Sequence, residues 1–290
     1  MKQWRKGIAS WTCGKTLYLS VPFTWLLDDA AAMAQSHKGP VVAGGPAVQL
    51  QGAPWATETP GTCPFDTLAM HNPCATFTTR GCPNKCAFCA VPKIEGDLVE
   101  LASWKPAPMV CDNNILAASR EHFERVIDSL MPFPLCDFNQ ALDARLFTRW
   151  HADQIARLQH CSVRFSFDHV GLESKVADAL TVGREAGLRD FSVFVLIGHK
   201  DTPEDALYRC RKIVEWKAMP CPMRYQPLDA REKNAYVAPA WTEHELLKMN
   251  KYFWKYRFLK DTPYEDFRSV ANGLFNDDLL AGLEQAGGEQ

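Results

Sequence analysis

Phe191-Ser192-Val193-Phe194-Val195-Leu196-Ile197, entered from Asp190 and left through Gly198, is the stretch on which the fold of this 290-residue chain turns. A nearly continuous apolar run of β-branched and aromatic residues between two turn formers predicts a strand buried on both faces, as inside a helix-covered parallel sheet. Directly after it, Thr202-Pro203-Glu204-Asp205 supplies an N-cap, a proline at the first helical position and acids in the first turn, so a helix is expected to about Lys217.

The same strand-then-helix unit repeats outward from this point. Strands are expected at Ala75 to Thr79, Pro108 to Cys111, Leu135 to Asn139, Ser162 to Phe167, Phe191 to Ile197 and Met223 to Gln226. Helices are expected around Ser119 to Leu130, Thr148 to Leu158 and Glu173 to Ala186, the last closed by Gly187. Six such units make an α/β fold with a parallel sheet, and right-handed crossovers curl six strands into part of a barrel with its helices outside. Ligand sites on such sheets gather at strand C-termini, where Asp112 to Asn114, Asp143, Asp168 and Gly198 all fall.

The loop leaving the first strand reads Thr79-Arg80-Gly81-Cys82-Pro83-Asn84-Lys85-Cys86-Ala87-Phe88-Cys89. Cys82, Cys86 and Cys89 are spaced Cx3Cx2C with an aromatic before the last, which brings three thiolates to one small volume. A 4Fe-4S cube has four irons, so three cysteine ligands leave one iron open to a non-protein ligand, whereas electron-transfer clusters are usually closed by four. The next cysteine, Cys111, lies beyond a proline-containing stretch. Two other uses stay open at this level. Structural zinc takes four Cys or His ligands in paired CxxC-like units, and no second pair stands at that spacing. Disulfides among the eleven cysteines require an oxidising compartment. No apolar signal region follows the polar, basic start Met1 to Lys6, and no apolar run reaches membrane-spanning length, so a cytoplasmic location without a membrane partner is expected.

With its aromatic, this cysteine run resembles the motif of the radical S-adenosylmethionine (SAM) superfamily, and the six units are similar to that family's partial (β/α)6 barrel. The resemblance implies a 4Fe-4S cluster whose open iron binds the amino and carboxylate groups of SAM. It also implies an external one-electron donor such as a flavodoxin or ferredoxin, and reductive cleavage of SAM to a 5'-deoxyadenosyl radical that abstracts hydrogen from a substrate the sequence does not identify. It assigns Cys82, Cys86 and Cys89 to iron and sets the backbone of Phe88 near the adenine. Where many relatives carry Gly-Gly-Glu for the SAM amino group, this chain has Asp112-Asn113-Asn114, so Asn113 and Asn114 are the expected acceptors. Arg145 is expected to fork onto the SAM carboxylate, with an ordinary Asp143–Arg145 pair as the alternative. Ser166 and Asp168 are expected at the ribose hydroxyls, and Ile197 and Gly198 at the adenine, where glycine lets the backbone approach. Arg224 and Gln226 are candidates for substrate or carboxylate contact, while His160, His169 and His199 read as structural.

Residues 74–229 are thus the expected barrel core, with a shortened α/β region over 1–73 and a helical extension over 230–290. In the first region Leu17 to Val21 reads as a strand, Thr24 to Ser36 as a helix, and Val41 to Ala43 as a strand before Gly44-Gly45-Pro46. This resembles a reduced cobalamin-binding-type domain of one radical SAM branch. It lacks the Asp-x-His-x-x-Gly signature, so no cobalamin is expected and Gly44-Gly45 reads as a tight turn. The extension opens at Thr242 and carries Leu246, Leu247, Met249, Tyr252, Phe253, Trp254 and Phe258, read as core packing. Lys248, Lys251, Lys255, Arg257 and Lys260 interleave as a solvated face, or as phosphate contacts were the substrate a nucleic acid. Cys13, Cys63 and Cys74 invite comparison with the second cluster of methylthiotransferases, against which their spacing and the missing RNA-binding module argue. Methylthio- or methyl-transfer to nucleic acid or protein is the enzymatic alternative, and a non-catalytic metal-binding module the other. A net charge of -2 and a pI near 6.4 neither demand nor exclude a polyanionic partner.

Overall fold

Residues 4–57, 65–259 and 262–267 are described by the computed structural model. In chain order the elements are β1 (Ala9–Cys13), β2 (Thr16–Ser20), α1 (Leu27–Ser36), β3 (Val41–Gly44), α2 (Pro46–Gln51), α3 (Thr67–His71), β4 (Ala75–Thr76), β5 (Thr79–Arg80), α4 (Val91–Ile94), β6 (Val99–Glu100), β7 (Met109–Val110), α5 (Arg120–Leu130), β8 (Cys136–Phe138), α6 (Arg149–Ile155), β9 (Cys161–Ser166), α7 (Glu173–Glu185), β10 (Phe191–Ile197), α8 (Pro203–Glu215), β11 (Met219–Arg224), α9 (Glu243–Trp254) and α10 (Tyr256–Leu259).

The main sheet runs β11-β10-β9-β8-β7-β4, every pair parallel, with Phe191 opposite Val163 and Leu196 opposite Met223. Because spatial neighbours are also successive along the chain, right-handed crossovers place α5 to α8 on one face. On that face Val163, Phe165, Val193, Val195 and Ile197 are fully buried, and they share one core with Phe123 and Ile127 of α5, Ile155 of α6, Leu180 of α7 and Ile213 of α8. Ser192, Phe194 and Leu196 point to the opposite face and are only half-buried, so β10 is covered on one side rather than the two its apolar run implied. β4 and β11 do not pair with each other, and no closed barrel is seen among the described residues.

The sixth strand occupies Met219–Arg224 instead of Met223 to Gln226, because Pro220 and Pro222 disguise it. Proline is tolerated on an edge strand where its missing N–H would face outward. Tyr225 N–H turns inward to Ile197 O at 2.9 Å, so residues of the opposite parity, both prolines included, face out. The outward carbonyl of Pro222 accepts from Asn250 Nδ2 at 3.1 Å and Trp254 Nε1 at 3.0 Å, which seals this edge with α9.

The first strand is shorter than expected. After Thr76 the ladder stops, and Thr79–Arg80 turns away to pair antiparallel with Val99–Glu100. Boundaries elsewhere move by a few residues: a 3-10 turn over Thr24–Leu26 precedes α1, β9 begins at Cys161, and α6 ends at Ile155. Residue 187 does follow the C-terminus of α7 with a left-handed φ of 94°.

Ahead of this sheet, β1 forms an antiparallel hairpin with β2, and β3 lies parallel to β2. Leu27, Ala30 and Ala34 of α1 bury against it with Leu19, Val21 and Ala43. Gly44-Gly45-Pro46 is a tight turn in which Ala47 N–H donates to Val21 O at 3.1 Å. Thr24 Oγ1 donates to Ala230 O at 2.6 Å, tying this unit to the loop beyond β11. In α9, Leu246, Met249, Tyr252 and Phe253 are buried in the main core, while Leu247 of α9 and Phe258 of α10 are exposed. Lys260 and residues 285–290 lie outside the described residues. Among the described residues no helix is long and apolar enough to cross a membrane.

Candidate active site

Three carboxylates hold the cysteine loop at the C-terminal ends of the first strands. Gly81 begins it with φ of 73°, and a Cβ there would stand 2.1 Å from Asp97 O, so only glycine fits. Glu95 Oε2 accepts from Gly81 N at 2.8 Å and from Asn113 Nδ2 at 2.8 Å, while Glu95 Oε1 pairs with Arg80 at 2.6 Å. Asp112 takes the two N–H groups that the interrupted strand leaves unpaired, Thr78 N at 2.6 Å and Thr79 N at 3.0 Å, and accepts from Thr78 Oγ1. Asp143 Oδ2 accepts from Asn84 Nδ2, inside the loop, at 3.0 Å and from Asn114 Nδ2 at 3.4 Å. Within the loop, Cys82 N–H donates to Gly96 O at 3.1 Å and Cys89 N–H to Cys86 O at 3.1 Å. Asn84 N–H lies 3.4 Å from Cys82 Sγ.

The three motif thiols are half-buried and feel one another's charge. Burial pushes the Cys86 thiol up, and Cys89, Asp168 and Cys82 add to this against an opposing Arg145. Burial also raises Cys89, with Cys82, Glu95 and Asp168 acting the same way and the Val91 N–H opposing them. Such mutual repulsion among thiolates is what a multiply charged cationic centre reverses. No group of three or more His, Cys, Asp or Glu side chains among the described residues converges on a single-ion position. Sulfurs sharing one zinc would crowd within about 4 Å of each other, from a Zn–S bond of about 2.3 Å. Thiolates on separate corners of an iron-sulfur cube have no such need to converge. Three thiols on one loop are thus a donor set that a cluster could use, and the structure does not hold them converged on a single ion.

A second fit lies beside the loop. Asn114 is 3% exposed, and its Oδ1 is a buried acceptor without a partner, while its amide N–H reaches Asp143. An unsatisfied buried oxygen costs about 1–3 kcal/mol, which an ammonium donor from a ligand would recover. Asn113, by contrast, is engaged by Glu95 and staples the loop.

The other expected site residues are placed as follows. Arg145 closes on its neighbour Asp143, Nε to Oδ1 at 2.8 Å and Nη2 to Oδ2 at 2.7 Å, with its side chain 48% exposed. Burial would raise Asp143, yet hydrogen bonds from Arg145 and Asn84 outweigh it and hold the carboxyl below its ordinary value. Asp168 is raised by burial, although Ser166, the Leu196 backbone and Arg209 oppose this. Ile197 is fully buried in the core. Gly198 has φ of 76°, and a Cβ would meet Leu246 Cδ2 at 2.9 Å, so its glycine character serves the turn after β10. Its N–H is already taken by Asp201 Oδ1 at 2.9 Å. Phe88 lies edge-on to His199, ring centroids 5.7 Å apart. Arg224 is committed to Glu243 and Tyr236 O, and Gln226 to Asn234, so neither faces a ligand freely.

Among the remaining thiols, Cys111, Cys136, Cys210 and Cys221 are buried, Cys74 and Cys161 half-buried and Cys13 exposed; Cys63 lies outside the described residues. Sequence reasoning missed Glu95, Asp201 and Arg209. Nothing local marks Glu95. Arg209 had a signal, since with Ala206, Cys210 and Ile213 it falls on the apolar stripe of α8.

No family model matches the chain, and no curated protein does. Among solved structures, coproporphyrinogen III oxidase (HemN) from Escherichia coli, described as a radical SAM enzyme, aligns with a TM-score of 0.39 at 13% identity, over 53% of this chain and 40% of that one. The chain thus spans less than half of that enzyme's length. A likeness so slight identifies neither fold nor activity.

Proposed function

We propose that this chain is a radical SAM enzyme acting on an unidentified substrate. The observation that carries the reading is the Cx3Cx2C loop at the C-terminal end of a successive parallel sheet, fixed by Glu95, Asp112 and Asp143 so that one loop offers three thiols. When bound, a 4Fe-4S cluster with an open iron supplies one electron to the sulfonium of SAM and thereby a 5'-deoxyadenosyl radical. Cys82, Cys86 and Cys89 hold the metal centre. Asn114 Oδ1 accepts from the ammonium of SAM, and Arg145 leaves Asp143 to meet the carboxylate. Ser166 and Asp168 face the ribose, and Phe88 and Gly198 bound the adenine, while Ile197, its side chain buried in the helix-covered core, has only its backbone left for that contact. Asn113 contributes through Glu95 rather than by contact.

In this reading residues 74–229 are a partial (β/α)6 barrel, flanked by 1–73 and 230–290, and the half-buried sheet face with Ser192, Phe194 and Leu196 is turned to the substrate. The electron donor is external, a flavodoxin or ferredoxin, and the location cytoplasmic. Anaerobic reconstitution followed by SAM and dithionite tests the proposal. It requires roughly four irons per chain and formation of 5'-deoxyadenosine, both lost in Cys82→Ala, Cys86→Ala and Cys89→Ala. An intact cluster that yields no 5'-deoxyadenosine, or protein that takes up no iron, overturns it.

A further inference from the structure

Asp112, His122 and Glu100 are titratable groups for which the radical chemistry has no use, and Thr78 joins them in one line. Asp112 is 4% exposed and lies where the first strand breaks off before the cysteine loop, with Oδ1 accepting from the backbone N–H of Thr78 and of Thr79. Its Oδ2 meets the hydroxyl of Thr78, a fully buried residue. The same hydroxyl lies 3.2 Å from Nε2 of His122, a ring on α5 that is 1% exposed. On the far side of the ring, Nδ1 stands 3.7 Å from Oε2 of Glu100, a β6 side chain 35% exposed. Ser119 at the start of α5 steadies that carboxylate, N to Oε1 at 2.5 Å and Oγ to Oε2 at 3.1 Å. A carboxylate at the base of the cysteine loop is thus joined to solvent through two buried side chains.

The surroundings favour neutral groups inside and an anion at the surface. Burial pushes Asp112 up, against the hydrogen bonds from Thr78 and Thr79. Burial pushes His122 down, Arg125 acting the same way while Glu100, Asp112 and the Thr78 backbone oppose it. The Ser119 N–H holds Glu100 below the ordinary carboxylate range. Other charges nearby are already engaged: Arg125 Nη2 donates to Ala102 O at 2.8 Å, and Arg80 pairs with Glu95. Cys111, beside Asp112 in the chain, is pushed up to about 12 by burial and stays a thiol.

A hydroxyl donates and accepts at once, and a neutral imidazole donates at one nitrogen and accepts at the other. The line therefore has two proton arrangements on one set of heavy-atom positions. In the first, Asp112 Oδ2–H donates to Thr78, Thr78 donates to His122 Nε2, and His122 Nδ1–H faces Glu100. In the second, Asp112 is a carboxylate, Thr78 donates back to it, His122 Nε2–H donates to Thr78, and Nδ1 is bare. Passage from first to second breaks the O–H bonds of Asp112 and Thr78 and the Nδ1–H bond. It forms an O–H on Thr78, an Nε2–H on His122 and an O–H on Glu100, which yields its proton to water. One proton leaves and no electron moves. The gap at Glu100 is longer than a hydrogen bond, and it lies at the end that solvent reaches, where one bridging water closes it. We infer that Thr78, His122 and Glu100 form a proton conduit through which Asp112 changes its charge beneath the cysteine loop while the fold stays closed. The inference goes beyond the radical SAM reading and does not rest on it.

Infrared spectroscopy of the full chain after a pH jump, in both directions, tests it, with the carboxylic C=O band of Asp112 assigned by its loss in Asp112→Asn. Measurement before metal reconstitution keeps the outcome independent of the radical chemistry. In the wild type the band grows on acidification and fades on return. Thr78→Ser keeps the hydroxyl and the rate. Thr78→Val slows the change on the order of tenfold or more, because the proton then waits for a local opening of the fold. His122→Phe interrupts the line without touching Asp112 and slows it likewise, which serves where Thr78→Val does not fold. No titrating Asp112 band, rates in the interrupted variants equal to the wild type, or Thr78→Ser as slow as Thr78→Val overturns the inference.

Discussion

A single methyl group separates Gly81 from alanine, and the cost of adding it is set by where the backbone already is. At Gly81 the left-handed φ would cost roughly 1–3 kcal/mol for a side chain, and the new carbon would overlap Asp97 O, an atom that cannot move without reshaping the loop. Gly96 closes the same loop with φ of 75°, but a Cβ added there would have no neighbour within 4 Å, so alanine meets only the backbone cost. Gly81→Ala should therefore lose most of its iron and sulfide after reconstitution, while Gly96→Ala retains them. Equal metal content in the two variants would show that loop geometry does not govern the centre. At this scale the spacing of the cysteines was legible, because it is a local pattern, whereas the need for glycine at residue 81 was not read from the sequence. Glu95 was not, since its role exists only once Arg80, Gly81 and Asn113 have been brought to it across the loop.

Helix α6 carries a pH-dependent cap. His151 stands at its third position, where Nδ1 accepts from Thr148 N at 3.2 Å and the Thr148 hydroxyl accepts from His151 N–H, a capping box that needs the ring neutral. Burial, with the nearby Arg120 charge, lowers the ring from 6.5 to about 4. Phe123 and Trp150 pack against it at 5.1 and 4.9 Å. Since the folded state binds this proton less readily than the unfolded chain, stability is full above pH 6.5 and is lost as pH falls toward 4. The ring is partly exposed, so the loss is discounted to about 1–2 kcal/mol. Urea unfolding across that interval should show the decline, and His151→Gln, which keeps the cap without titrating, should flatten it; an unchanged slope in the variant assigns the effect elsewhere. Element recognition from the sequence followed the same logic of local signal. Strand β10 and helix α8 announced themselves by apolar continuity and by Thr202-Pro203. Strand β11 was hidden because Pro220 and Pro222 are acceptable only at a sheet edge, and nothing in the sequence says which strand is the edge. The mixed Ala9–Cys13 strand was missed because its partner, not its composition, makes it a strand.

Across the whole molecule, one buried ion pair fastens the strand ends on which the proposed chemistry depends. Arg209 is fully buried in α8, and its Nη1 donates to Phe167 O at 2.8 Å and Leu196 O at 3.0 Å, past the end of β9 and within β10. Its Nη2 pairs with Asp201, whose Oδ1 accepts from Gly198 N, from His199 N at 3.2 Å and from Trp241 Nε1 at 3.2 Å. Two strand ends, the following turn and the approach to α9 thus meet at one guanidinium. Arg209→Met fits the volume but strands the Asp201 carboxylate and two carbonyls, and breaking a buried pair in this way costs about 3–5 kcal/mol. Against a total stability of about 5–15 kcal/mol, that is enough to unfold a sizeable fraction of the chain on warming. Adding Asp201→Asn removes the uncompensated charge while keeping an acceptor for Gly198, so the double variant should regain about 1–2 kcal/mol over Arg209→Met alone. Denaturant midpoints of the wild type, both single variants and the double variant decide it. Additive losses, or a single-variant cost below about 1 kcal/mol, would mean that the strand ends are held by the apolar core and that the pair is incidental.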